Sequence, residues 1–196
     1  MLGPRAPTAA ADFTKAADKA LREYPGVAEE LITKYNIGLD PTNGLLPLLE
    51  FANDIGFYAA VRHLASNFPG RSYVYHFNEP NPSDGPFKGV STHVLDTCFL
   101  FQNFNQYLDD EQRVIAEELG RHVISFVNGV KPYDEFTIHR GGAIIYDSKN
   151  SSKPTFVTGL DSRSCGRRGT IFELAQKSDL DALSMAWHLF MAHDLD

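Results

Sequence analysis

His93 is the side chain whose type and setting best suit acid–base chemistry in this sequence. Aromatic and β-branched residues at 72–77 predict a strand. The next nine residues contain three prolines, two asparagines and a glycine, so they predict a loop that leads towards His93. Catalytic groups of α/β enzymes stand in such loops beyond strand ends, and imidazole accepts and returns protons near neutral pH. The alternative is a loop histidine that only bonds to backbone.

The sequence around His93 is distinctive in several separate segments. It reads YHFNEPNP at 75–82, GVSTHVLD at 89–96 and FLFQN at 99–103, with NDIGFY at 53–58 and FVNGVKP at 126–132 on either side. In combination these segments resemble the region of the catalytic histidine in the type-B carboxylesterase/lipase family, particularly its fungal members. The resemblance extends from about Phe13 to Pro132 and then fades.

The resemblance implies a fold of the α/β-hydrolase superfamily and serine esterase chemistry without a cofactor. His93 is the implied triad histidine, which takes the proton of a nucleophilic serine and returns a proton to the leaving alkoxide. Asp96 matches an acidic position of the family and is interpreted as support for His93 rather than as the triad acid. Relatives commonly have an aromatic residue where Ser83 stands and Trp where Tyr133 stands, and we expect the first departure to loosen the loop that aims His93.

The remaining parts of a serine esterase site are missing from the sequence. Triad residues on this fold follow in the order Ser, acid, His, yet no Gly-x-Ser-x-Gly occurs, and the nearest strings, 89–93 and 159–163, both fail the motif. The pair Gly141-Gly142 follows His93, on the wrong side to form an oxyanion hole. The sequence therefore predicts that 1–196 is a single C-terminal fragment of a carboxylesterase domain, inactive alone. Two alternatives stay open: a non-catalytic interaction module of the same fold, and an unrelated α+β binding domain.

Thiol and metal chemistry have weaker support. Cys98 and His93 can in principle form a nucleophilic dyad, but Cys98 lies in an apolar run, which is typical of a buried and inert thiol. No His-x-x-x-His occurs, and His188 and His193 are five residues apart, off a common helical face. We therefore expect neither a metal nor a cofactor.

The charge of the chain bears on its partners. With 25 acidic and 18 basic side chains the net charge is -7, so the chain lacks the excess of Lys and Arg that phosphate backbones require. A nucleic-acid partner is not expected. Arg163, Arg167 and Arg168 can hold an anion beside Ser162 and Ser164, but arginines in an acidic chain more often face solvent or cap acidic neighbours. The partner implied by the resemblance is a small-molecule carboxylic ester in a full-length form.

The sequence gives little information on localisation. The longest nearly apolar stretch, 182–192, is far shorter than the ~20 residues of a membrane span. Residues 1–7 lack the apolar region of a signal peptide, and the sequon Asn150-Ser151-Ser152 is the one secretory indication. The compartment is left open, although full-length relatives are often secreted.

Hydrophobic periodicity predicts the elements that must position His93, in the order α, α, α, β, α, β, β, α, typical of the edge of an α/β fold. The predicted helices run from the N-cap Asp12 to Pro25, from Val27 to 36–38, from Asn53-Asp54 to Phe68, from the capping residue Asp109 to Gly129, and over 179–191, with strands at 72–77, 143–146 and 155–158. The helix after Asp109 is expected to bury Val114, Ile115, Leu119, Val123, Phe126 and Val127. Because the strand at 73–77 belongs in a parallel sheet, the isolated chain is expected to self-associate through an exposed sheet edge.

Overall fold

The structure is a computed structural model that describes residues 7–39, 45–85, 87–159 and 166–195. The chain divides into two compact units. The first, the helical unit, comprises residues 1–64 and 161–196, and the second, the sheet unit, comprises residues 65–160. None of the described helices is long and apolar enough to cross a bilayer.

The helical unit begins with α1 (Ala9–Ala20) and α2 (Val27–Tyr35). The interpretation of Asp12 as an N-cap is wrong, because α1 starts three residues earlier and Asp12 lies in its first turn, where it accepts a hydrogen bond from the Thr8 hydroxyl. The second predicted helix is confirmed. It ends at Asn36, whose left-handed backbone halts the helix.

The third predicted helix is longer than its sequence pattern indicates. It consists of α3 (Leu46–Asn53), a π-helical segment (Asp54–Tyr58) and α4 (Ala59–Asn67). The predicted start at Asn53-Asp54 is wrong, because Pro47 in the first turn of α3 already sets a helical φ. The unit ends with α7 (Thr170–Ala175) and α8 (Leu180–Ala192), which follow the sheet unit in the chain. The predicted final helix over 179–191 agrees with α8.

Aromatic side chains form the centre of the helical unit. Phe13 of α1 packs edge-on against Phe51 and Phe190, with ring centroids 5.1 and 5.7 Å apart. All three side chains are fully buried, and α1 lies along α8. Edge-to-face pairs of this kind add about 0.5–1.5 kcal/mol to what burial alone contributes.

A buried carboxylate lies at the start of the π-helical segment. Asp54 is fully buried and pairs with the guanidinium of Arg167, which also donates to the backbone oxygen of Glu50. The Tyr35 hydroxyl donates to the same carboxylate at 3.0 Å. Arg167 therefore pairs with an acidic neighbour, in line with the second interpretation of the arginines, whereas Arg163 lies outside the described residues.

The sheet unit contains β1 (Tyr75–Phe77), β2 (Ala143–Tyr146) and β3 (Thr155–Val157), in the order β1-β2-β3. β1 and β2 are parallel, with Tyr75 opposite Ile144, and β2 and β3 are antiparallel. The crossover between the parallel strands carries α5 (Leu95–Leu100) and α6 (Asp110–Val127). Within the described residues β1 pairs on one side only, with β2. The three predicted strands are confirmed, although β1 is shorter than 72–77.

The predicted cap of α6 is confirmed, since the Asp109 carboxylate accepts a hydrogen bond from the backbone N–H of Gln112 at 2.8 Å. Its buried face is only partly as expected. Ile115 and Leu119 are buried against the sheet, but Val114, Phe126 and Val127 are exposed. The buried stripe instead comprises Gln112, Ile115, Ala116, Leu119, Gly120 and His122. Val114 and Val127 lie outside this stripe and are exposed, so the hydrophobicity of a residue alone does not predict whether it is buried in α6.

Candidate functional site

The loop after β1 returns to the strand end and delivers His93 there. The Ser91 hydroxyl donates to the backbone oxygen of Phe77, the last residue of β1, at 3.0 Å. A backbone hydrogen bond between Gly89 and Asn81 joins the two sides of this loop, with the Gly89 N–H donating to the Asn81 oxygen at 2.9 Å. His93 follows Ser91 by two residues and is exposed. The structure thus places an exposed imidazole near the carboxyl end of a parallel strand.

Val94, directly after His93, has an unfavourable backbone conformation. Its φ is 67° and its ψ is 2°, in the left-handed region. Among the described residues four non-glycine residues have positive φ, and Val94 is the β-branched one. A β-branched side chain in this region is an outlier that costs on the order of 1–3 kcal/mol. The turn carrying His93 is therefore strained.

Val94→Gly is expected to stabilise the sheet unit by about 1 kcal/mol, because glycine adopts positive φ without the strain. The free energy of opening, from amide hydrogen exchange of Ile144 and Ile145 in β2, measures the effect. The matched control is Val90→Gly in the same loop, where φ is not positive. That variant should lose about 0.5–1 kcal/mol because glycine is more flexible in the unfolded chain. A loss of stability in both variants would contradict strain at Val94.

Asp96 lies in the first turn of α5 and is held from two sides. The Tyr75 hydroxyl of β1 donates to its Oδ2 at 2.9 Å, and the Thr97 backbone N–H donates to its Oδ1 at 2.9 Å. Partial burial of the phenol, followed by the Asp96 carboxylate, raises the pKa of Tyr75 to about 12. The phenol therefore stays protonated and able to donate throughout the neutral range.

A cleft of about 240 Å³ opens beside His93. Its walls are mainly apolar and aromatic, and they include Leu95, Phe99, Phe104 and Tyr107. Ser83 also lines the cleft. The cleft therefore combines one imidazole with an apolar lining, a common composition of small-molecule sites.

Cys98 lies on the wall of the same cleft. The prediction of a buried thiol is wrong, because Cys98 is a half-buried free cysteine. The apolar run around Cys98 forms α5, and a helix distributes a continuous apolar run over several faces. Phe99, the next residue, faces the core while Cys98 faces the cleft.

Glu79 is a buried acidic residue that the sequence analysis did not single out. Its carboxylate accepts hydrogen bonds from the backbone N–H and, at 2.7 Å, the hydroxyl of Ser148. Burial raises the pKa of Glu79, and the bonds from Ser148 oppose that rise. Because Glu79 follows β1 and Ser148 follows β2, this pair ties the carboxyl ends of the two parallel strands together.

His122 forms a second polar contact under the sheet. Its Nδ1 lies 2.7 Å from the Tyr146 hydroxyl, and its ring packs edge-on against Tyr133. Burial, followed by the charge of Arg121, lowers the pKa of His122. The signal in the sequence was its place on the buried stripe of α6, and the contact with Tyr146 indicates a structural role.

The described residues contain no group of three His, Cys, Asp or Glu side chains that could hold a metal ion. His188 and His193 are both exposed at the end of α8. Arg168 lies in the 3-10 turn before α7, whereas Ser162 and Ser164 fall outside the described ranges. The anion site considered above therefore lies partly outside the described residues and is not tested.

Comparison with known proteins gives a match in structure. No family model and no curated protein matches the chain. Among solved structures it is similar to PNB esterase, with a TM-score of 0.56 and 19% sequence identity over 77% of this chain. The match covers 32% of that esterase, so the chain spans about a third of its length. The small mixed sheet with its covering helices is thus a partial α/β-hydrolase fold, as expected, and it is similar to part of an esterase.

Proposed function

We propose that this chain is the C-terminal part of a carboxylic ester hydrolase of the type-B carboxylesterase family, with 1–196 belonging to one such domain. Its role would be to supply His93 as the triad histidine, supported by Asp96. The observation that carries the proposal is the position of His93, exposed on the wall of an apolar cleft, in a loop bonded back to the end of a parallel strand. The fold likeness to part of an esterase supports it.

In this proposal His93 acts in two proton transfers. As a serine oxygen attacks the ester carbonyl carbon, the imidazole accepts the hydroxyl proton, and it then donates that proton to the departing alkoxide. In deacylation it takes a proton from water and returns it to the serine oxygen. The serine, the triad acid and the oxyanion donors must come from outside this chain, because its sequence has no Gly-x-Ser-x-Gly.

The lining of the cleft suggests which part of an ester it would hold. Phe104 and Tyr107 offer exposed aromatic surface, and beside the imidazole of His93 the described lining contains no Asp, Glu, Lys or Arg side chain. Such walls favour an uncharged, apolar acyl or alcohol group over a charged one. The proposed partner is therefore a small apolar carboxylic ester, bound in a full-length form.

The isolated chain is expected to show no ester turnover beyond simple imidazole catalysis, because it has no serine route to an acyl-enzyme. Hydrolysis of short p-nitrophenyl esters measures this, with His93→Ala as the control for the imidazole background. Both proteins should show slow hydrolysis without a burst. Burst kinetics abolished by a serine-directed phosphonate would contradict the assignment of the chain as an incomplete site.

A second candidate is a non-catalytic interaction module of the same fold. The missing elbow serine favours it, as do the exposed aromatic side chains of Phe101, Phe104 and Tyr107 beside the cleft. Upstream coding sequence with a Gly-x-Ser-x-Gly would favour the hydrolase. If the chain is a fragment of a hydrolase, we expect it to self-associate through the edge of β1, and sedimentation of the isolated chain tests this. A monodisperse monomer with a cooperative thermal transition would instead support an independent module.

A further inference from the structure

We propose that Tyr75 is a positioning residue for His93. Through its hydrogen bond to Asp96, Tyr75 holds the strained turn at Val94 in the conformation that presents His93 to the cleft. The catalytic meaning of this role rests on the proposed function, whereas the conformational role can be tested without it.

The first step of the argument is that the turn needs an external restraint. Val94 stands in the left-handed region, which disfavours a β-branched side chain. Two long local hydrogen bonds span it, from the Leu95 N–H to the Thr92 oxygen at 3.2 Å and from the Cys98 N–H to the Val94 oxygen at 3.3 Å. A strained residue persists only where its surroundings fix it. Because these two hydrogen bonds join residues of the turn and of α5 to each other, they cannot fix the turn relative to the sheet.

Tyr75 supplies a reference outside the turn. It lies in β1, where it pairs with Ile144 of β2, and its ring packs edge-on against the buried ring of Tyr146, with centroids 5.9 Å apart. Its hydroxyl reaches Asp96, two residues beyond Val94. The strand thus fixes the first turn of α5, which begins directly after Val94.

The bond suits this role because it joins a neutral donor to a carboxylate. Hydrogen bonds to charged groups are about twice as strong as neutral ones, and this bond has to offset the strain of only one residue in the left-handed region. Since the pKa of Tyr75 is raised to about 12, the phenol remains a donor at every pH at which an esterase histidine would act.

Tyr75→Phe in the full chain is the first test. Without the hydroxyl, we expect the ¹³C-labelled His93 imidazole signal to shift or to split into two conformers. Amide hydrogen exchange at Asp96 to Phe99 should accelerate about tenfold or more, the factor that corresponds to loss of a hydrogen bond to a charged group. The matched control is Tyr73→Phe, which also removes a phenol-to-carboxylate bond, that of Tyr73 to Glu135 at 3.3 Å. It should leave the His93 signal unchanged.

The double variant tests the role of strain. Adding Val94→Gly to Tyr75→Phe should return the His93 signal to a single conformer and slow the exchange of α5, because the relaxed turn no longer depends on the bond. An unchanged His93 signal in Tyr75→Phe, an equal change in Tyr73→Phe, or a double variant that is not restored would each overturn the proposal. None of these measurements involves ester turnover, so their failure is distinct from failure of the proposed hydrolase.

Discussion

His93→Ala, in a longer form of the protein that supplies an elbow serine and an acidic residue, is expected to lower kcat by about 10⁴-fold or more with little change in KM. Imidazole is the group at this strand end that can accept and return a proton near neutral pH. In the proposed function, substrate binding would depend instead on the apolar walls of the cleft. Steady-state and pre-steady-state hydrolysis of one p-nitrophenyl ester measures both constants.

The other histidines of the chain provide the controls. His76 lies half-buried on β1, His63 is exposed on α4 and His122 is buried against Tyr146. Their alanine variants should change stability at most, with the largest loss for His122. A longer enzyme whose rate falls equally on changing His76 or His122, and not on changing His93, would place the catalytic base elsewhere.

Asp54→Asn is expected to lower the free energy of unfolding of the helical unit by about 1.5–3 kcal/mol, the usual contribution of a hydrogen bond to a charged group. The variant removes the buried partner of Arg167 and leaves the guanidinium with the partly exposed Glu50 carboxylate, 3.5 Å away. The single tryptophan, Trp187 in α8, reports unfolding of the same unit by fluorescence in urea.

The matched control for Asp54 is a surface ion pair of the same unit. Lys19 and Asp194 are 2.6 Å apart, and the Asp194 side chain is 58% exposed. Asp194→Asn should therefore change stability by about 1 kcal/mol or less. Adding Arg167→Met to Asp54→Asn should recover part of the loss, because the double variant leaves no charge in the interior, and the Glu50 carboxylate that loses its partner is 36% exposed. Equal losses for the two single Asp variants would show that the buried pair contributes no more than a surface one.

Local signals predicted much of the fold. The start of α6 follows from the capping aspartate Asp109, whose side chain accepts a backbone N–H as expected, and Asp179 caps the start of α8 in the same way. The course from α3 to α4 was less predictable. A π-helical segment changes the periodicity in its middle, and the apolar side chains after it, such as Val61 and Leu64, are exposed. A pattern that assumes one buried face cannot describe such a segment.

The site was predicted from the sequence in part. The order strand, loop, His93 follows from turn-forming residues, which act locally. The bond from Tyr75 to Asp96 joins residues on two different elements, and the left-handed conformation of Val94 contradicts the preference of its own residue type. Neither is visible to rules based on neighbouring residues. The half-buried Cys98 was missed for a related reason, because the helix α5 was not predicted.

The connection between β1 and β2 also determines when the turn of His93 can form. Ile145 pairs with Thr155 across a short hairpin, whereas Tyr75 must find Ile144 across two helices. Hairpins close in about 1–10 μs, while distant parallel pairing is slow because the long loop loses entropy first. We therefore expect residues 143–157 to nucleate the sheet and β1 to add to it afterwards. Since chains are synthesised from the N-terminus, His93 leaves the ribosome well before β2. We therefore expect the turn of His93 to become ordered only after β2 has been synthesised, because β1, which carries Tyr75, needs β2 as its pairing partner.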